Sequence, residues 1–337
     1  MQNGSFYTLL VLVASLGTFP LLSCSKTSGV ASSSSSSAKL TQCAAAVETV
    51  DSATFTSFTI TPPTSTYLMT FHSCKDTATD CTNPTEHEVR LAQSNDGNSW
   101  SEVSGWTRYK GSVPDVHRRE STLYVSGGGL AKVNLSTGVV TAGSLTVLDS
   151  SGNNAQARDF AFAGENSAGL MYAVYVPSMQ AEGTGSADSP QYVYLATEVE
   201  GSDGSCFETT RALVSITDGS FGMGGPTDPD LFFDGNQYVL YVSFGANVFR
   251  FTSATMDGTF GDKTQLSSGQ GGVPTGLYTG STILSFVNYG LTNAGSVIKV
   301  ASHSASATNV IFTTTAVPSN LSGAQSAESP GVILNVP

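Results

Sequence analysis

Apolar and polar residues alternate in short runs along most of this chain, and Gly, Asn, Asp and Pro bound the runs. Leu123-Tyr124-Val125, Met171-Tyr172-Ala173-Val174-Tyr175, Tyr238-Val239-Leu240-Tyr241-Val242 and Ile283-Leu284-Ser285-Phe286-Val287 are typical, rich in β-branched and aromatic side chains. Such runs predict strands. No long stretch places apolar residues at i, i+3, i+4 and i+7, so helix signals are nearly absent.

The strands recur with a phrase. A short strand entered through a Pro or Asp step precedes four of the aromatic runs: Val113-Pro114-Asp115-Val116, Ala157-Arg158-Asp159-Phe160, Asp228-Pro229-Asp230-Leu231 and Val273-Pro274-Thr275-Gly276. A fifth copy, Ser329-Pro330-Gly331-Val332, stands at the C-terminus. With Arg158 set where the others have Pro, positions 114, 158, 229, 274 and 330 are 44, 71, 45 and 56 residues apart. Repeats of this size built from short strands predict a β-propeller. Five units follow: 54–106, with strands at Phe55–Thr61, Thr66–His72, Glu88–Gln93 and Trp100–Val103; 113–147, with Gly127-Gly128-Gly129 as its middle turn; 157–216; 228–263; and 273–312. The fold expected is all-β, a five-bladed β-propeller. The C-terminal phrase has no blade after it, so it is expected to close the ring against blade one and hide an open edge.

The N-terminal part reads differently. Leu9–Leu22 is an apolar run of 14 residues, too short to span a bilayer and suited to the core of a signal peptide. It ends in Leu21-Leu22-Ser23-Cys24, which resembles a bacterial lipobox, with Cys24 as the lipidated residue; Met1–Tyr7 has no Lys or Arg, which is atypical. The alternative is an ordinary cleaved signal peptide with an incidental Cys. The expected organisation is a signal peptide over 1–23, a Ser-rich flexible tether over 24–46 that includes six consecutive Ser at Ser32–Ser37, and the propeller over 47–337. That predicts export and a lipid anchor on a bacterial envelope membrane, on either face, with the chain a monomer.

Export sets the expectation for cysteines. Cys43, Cys74, Cys81 and Cys206 remain once Cys24 is set aside. Cys74 and Cys81 flank a small polar loop and suit a local disulfide, and Cys43 with Cys206 would tie the N-terminal region to a long loop. No Cys-x-x-Cys or His pair accompanies them, which argues against zinc. The net charge is −12 and no basic stripe exists, which excludes a nucleic-acid partner.

A second phrase closes units. It is Ser94-Asn95-Asp96-Gly97-Asn98-Ser99-Trp100 in unit one and Ser253-Ala254-Thr255-Met256-Asp257-Gly258-Thr259-Phe260 in unit four, with a looser Ser202-Asp203-Gly204-Ser205-Cys206-Phe207 in unit three. In it Asp caps its own turn, Gly takes a positive φ, and the aromatic packs between sheets. Together with Asp228-Pro229-Asp230-Leu231-Phe232-Phe233-Asp234-Gly235, this phrase resembles five-bladed propeller glycosidases of the arabinanase/xylosidase (family 43-like) and invertase-like groups. It also resembles the sialidase Asp-box, but Asp96 and Gly97 are adjacent here and no Arg-Ile-Pro motif is present.

The glycosidase resemblance implies a carbohydrate partner, an oligo- or polysaccharide, and a funnel with inner-strand carboxylates. Asp228 best matches the family's base, Asp115 and Asp159 would serve on neighbouring blades, and Glu328 is the only near-match to the acid. Trp106, Tyr109, Tyr278 and Tyr289 are candidate sugar platforms. His117, two residues beyond Asp115, could face the same side and ligate a funnel ion such as calcium; no cofactor is required. The alternative is a non-catalytic binding or scaffold lipoprotein that presents loops to a protein or glycan, its Asp side chains capping turns and backbone N–H groups.

Overall fold

The computed structural model describes residues 32–46, 54–75, 83–177, 190–217, 225–290, 296–318 and 326–336. After a helix, α1 (Ser32–Ala46), come β1 (Phe58–Thr59), β2 (Tyr67–Cys74), β3 (His87–Ser94), β4 (Ser101–Glu102) and β5 (Tyr109–Lys110). Next are β6 (Val116–Arg119), β7 (Thr122–Val125), β8 (Leu130–Asn134), β9 (Val139–Gly143) and β10 (Thr146–Leu148). Blade three continues with β11 (Ala157–Glu165), β12 (Met171–Pro177), β13 (Gln191–Glu198) and β14 (Cys206–Ile216). Blade four is β15 (Thr227–Phe233), β16 (Tyr238–Phe244), β17 (Asn247–Ser253) and β18 (Gly261–Ser267). Blade five is β19 (Gly272–Tyr278), β20 (Ile283–Tyr289), β21 (Val297–His303) and β22 (Thr314–Thr315), and β23 (Glu328–Leu334) ends the chain.

These strands form five sheets around one axis, and the ring closes as the C-terminal phrase predicted. β23 lies antiparallel to β2, with Met69 opposite Val332 and Thr70 opposite Gly331, so blade one takes its innermost strand from the far end of the chain. Each pair of neighbouring blades shares an apolar core. Leu68, Leu91, Leu123 and Val133 fill the space between blades one and two, and Leu240, Phe251, Leu195 and Val214 that between three and four. Burial of such side chains is what holds one sheet against the next.

Two strands sit where the repeat did not place them. β1 pairs with β9, Phe58 opposite Val140, so the segment 55–61 is the outer edge of blade two and not the start of blade one. β10 pairs in parallel with β14 at the outer edge of blade three. Both segments link one blade to the next, and both cover an outer edge that would otherwise be open.

The N-terminal Ser-rich segment also differs. In place of the tether expected over 24–46, Ser32–Ala46 is helical. Leu40 and Ala46 pack with buried Cys43, Leu148, Val199 and Cys206, and Lys39 pairs with Glu208. A disulfide joins Cys43 to Cys206, as expected. Cys74 is also disulfide-bonded. Its expected partner Cys81 lies outside the described residues, as do Cys24, the apolar run 9–22 and the lipobox-like ending.

The inner strands share a distortion. Val113, Asp159, Asp228, Val273 and Ser329 all have a left-handed backbone, with φ of 47, 51, 50, 49 and 56°. In four blades the pairing of inner and second strands shifts register at this point. These are β-bulges, which re-aim the residues that follow. A left-handed Val is a steric outlier, and two of the five are Val. Pro follows in four of the five copies and has no N–H to leave unpaired at the bulge.

Candidate functional site at the propeller axis

The bulge corrects the alignment of the repeat. Asp159, not Ala157, shares its φ and position with Asp228, so Phe160 and not Arg158 takes the place of Pro. Asp115 and Asp230 then stand together two residues further along. Asp159 and Asp228 form one layer on adjacent blades, and Asp115 and Asp230 form a second layer. All four line a central cavity with Pro114, Pro229, Pro274 and Pro330. Its volume is about 20 Å³, room for roughly one water. Sugar-sized pockets run to about 300–1,000 Å³. The axis is therefore plugged by its own inner strands.

Three of the four acids engage the next blade through their carboxyl groups, while Asp228 bonds to Thr227 of its own strand. Phe162 donates its N–H to Asp115 Oδ2 at 2.7 Å, and Gly276 donates to Asp230 Oδ2 at 2.7 Å. These are equivalent contacts, from the second acid layer to the inner strand of the following blade. The N–H of Asp228 lies 3.3 Å from Asp159 Oδ2. A Cβ at Gly331 would collide with the Asp115 carboxyl, so glycine is required where β23 passes that acid.

Burial raises the affinity of these carboxyls for protons. It drives Asp228 to about 8, with the nearby Asp159 charge adding to the effect. It drives Asp230 to about 7 against the pull of the Gly276 N–H. Asp115 is held well above the ordinary range by burial and by Asp230, and burial raises Asp159 as well. In the unfolded chain such groups ionise near 3.8. The folded state thus binds more protons between about pH 4 and pH 8, and stability falls as pH rises through that window. Asp228→Asn, whose side chain tolerates a left-handed backbone, removes one such proton. The variant is expected to gain on the parent by about a kcal/mol per pH unit across this window in urea unfolding. A difference that does not change with pH would show that folded Asp228 ionises as it does in water.

The remaining candidates lie elsewhere. Glu328 does not line the cavity; its Oε2 is 3.6 Å from Nε2 of buried His72. Burial would raise Glu328, but His72 holds it below the usual range. His72 stacks on His87, ring centroids 4.0 Å apart, and its Nδ1 accepts the Val113 N–H at 3.2 Å. His117 does not line the cavity; it meets Glu165 Oε1, at the end of β11 on the neighbouring blade, at 3.0 Å. Among the described residues, no group of three His, Cys, Asp or Glu is arranged to hold a metal ion.

None of the aromatic candidates lines the cavity or the groove described below. Trp106 donates Nε1–H to the Val89 carbonyl and packs on Phe58, while Tyr109 is buried against Phe55. They belong to the core between blades one and two. Tyr278 covers Gly235 and donates to the Gly280 carbonyl. Tyr289 carries the Lys299 ammonium on its ring. The Asp96 turn does what its residues require: Asp96 Oδ1 accepts from Asn98 and Ser99, Gly97 has φ 73°, and Trp100 packs on Phe286.

Next to the plugged axis is a groove of about 840 Å³. Its walls are Ser112–Val113, the Ser126–Gly129 turn of blade two, and Asn153–Phe160 at the entry to blade three. Asn153, Asn154, Gln156 and Arg158 give it polar groups, and Asp159 links it to the cavity. Among the described residues, Asp159 is the only carboxylate in this wall. The repeat could not reveal the groove, because its residues lie in turns and linkers that carry no period. Asp230 was legible in the Asp-Pro-Asp step, already aligned with Asp115, but the misplaced Arg158 hid the equivalence of Asp159 to Asp228.

No protein-family model matches the chain, and neither does any curated protein. Solved structures do. A family 43 (GH43_1) enzyme from Xanthomonas citri with xylotriose bound superposes with a TM-score of 0.51 at 16% identity, covering 84% of this chain and 99% of the enzyme. The same enzyme without that ligand gives 0.50 at 14% identity over the same shares. At this identity the likeness concerns the fold, and the chain has the five-bladed propeller fold of the family 43 glycoside hydrolases.

Proposed function

We propose that this chain is an exported, membrane-anchored propeller that binds carbohydrate in the groove beside its axis and does not hydrolyse it. One observation carries this reading: among the described residues the sugar-sized space holds a single carboxylate, while the other inner-strand acids line a cavity the size of one water. Glycoside hydrolysis needs two carboxyl groups flanking the scissile bond. Amide, hydroxyl and guanidinium side chains, in contrast, are suited to sugar hydroxyls, which donate and accept. The xylotriose held by the Xanthomonas citri enzyme supports an oligosaccharide as the ligand class. The Cys43–Cys206 disulfide fits an oxidising compartment, and the Leu-Leu-Ser-Cys ending fits a lipid anchor.

Hydrolysis is the second reading. It is favoured by Asp228 and Asp230, whose raised proton affinities are those of a general acid near neutral pH. Calorimetric titration with xylo-, arabino- and uronate oligosaccharides tests the binding claim. Asn153→Ala, at an exposed groove position, is expected to weaken binding about fivefold to tenfold, the value of one hydrogen bond, with unchanged thermal unfolding. Binding that ignores Asn153 would place the ligand elsewhere.

A further inference from the structure

Among the described residues the groove wall carries one basic side chain, Arg158, in a chain of net charge −12. Arg158 is half exposed, its side chain at 50%, and stands at the entry to β11 where the groove meets the axis. Its only ion-pair neighbour among the described residues is Asp159, with Nε 3.8 Å from Oδ1. That is beyond hydrogen-bond length. The Asp159 side chain is 7% exposed and turned inward, with Oδ2 toward the Asp228 N–H. Among the described residues of the wall, no carboxylate is within hydrogen-bond length of the half-exposed Arg158 guanidinium.

Holding such a cation beside a buried acid makes sense if the missing partner comes with the ligand. We propose that Arg158 selects acidic saccharides, sugars bearing a uronate carboxylate, in the groove; this rests on the groove being the carbohydrate site. A carboxylate fits the guanidinium fork with two parallel N–H···O bonds, which a hydroxyl cannot match. The exposed Asn153 on the same wall adds an amide suited to ring hydroxyls. The overall negative charge works against anionic ligands at long range, so the preference must come from this one contact and must weaken with salt.

The test uses oligogalacturonates and oligoglucuronates, each beside its neutral methyl ester, titrated into the parent protein and into Arg158→Gln and Arg158→Lys. The acids are expected to bind at least about tenfold tighter than their esters, with the gap narrowing in salt. Arg158→Gln is expected to abolish the gap, and Arg158→Lys to keep part of it. Equal binding of acid and ester, or a gap that survives Arg158→Gln, overturns the acidic preference and leaves the groove as a neutral-glycan site. Failure of every glycan, neutral xylo- and arabino-oligosaccharides included, overturns the carbohydrate reading itself.

Discussion

Replacing Cys43 and Cys206 by serine is expected to lower the unfolding free energy by about 4–5 kcal/mol. The two residues are 163 apart in sequence, so the bond closes most of blades one, two and three into one loop of the unfolded chain. In the chain-entropy account a loop of that length contributes about 5 kcal/mol. The bond also pins α1, whose apolar contacts with Leu148 and Val199 are few. A helix of Ser and Ala has little reason to persist alone, because isolated helices of this length are marginal. The double variant should therefore lose α1 as well, and far-UV dichroism in urea reads both effects. A loss below about 1 kcal/mol would contradict the structural role of the bond. An intact helix in the variant would show that packing alone holds it.

Glu198→Ala carries the second large effect, about 3–5 kcal/mol. The Glu198 carboxylate is almost fully buried, its side chain 2% exposed. It accepts from the N–H groups of Met171 and Gly204 and from Arg119 Nη1, at 2.6 Å for the last. Arg119 belongs to blade two, so the contact staples blades two and three on the side opposite the groove. Removing the carboxylate leaves two buried N–H donors without an acceptor and leaves Arg119 Nη1 with the Gly169 carbonyl at 3.5 Å. Asp203 meets the same Arg119 at 2.9 Å, but its side chain is 64% exposed. Asp203→Ala should cost about 1 kcal/mol or less, because water can replace it. Equal losses at Glu198 and Asp203 would refute the argument from burial.

The propeller was legible because its signal is repeated. Five entry phrases and their aromatic strands announced five blades, and a strand phrase at 328–334 with no blade to follow announced ring closure. What failed were single positions where neighbours outside the repeat decide. Phe160 replaces Pro in one copy, and that substitution moved the alignment by two residues until the backbone of Asp159 showed the true register. Ser32–Ala46 has the composition of a linker and became a helix through a disulfide and an ion pair more than a hundred residues away in sequence. Trp106 and Tyr109 stand near loop ends, as sugar platforms do, yet Phe55 and Phe58 fold over them. Of the candidate acids, the sequence placed three around one axis. It could not show that the axis is filled, because that depends on how closely five bulged strands approach one another.

The central claim is that glycan is held in the groove and left intact. Its most direct measurement is reducing-end release from an oligosaccharide shown to bind, followed over days with protein at micromolar concentration. The account predicts no release above the buffer blank, and no change on Asp228→Asn. Release by the parent that Asp228→Asn abolishes would contradict it and make the axial acids catalytic.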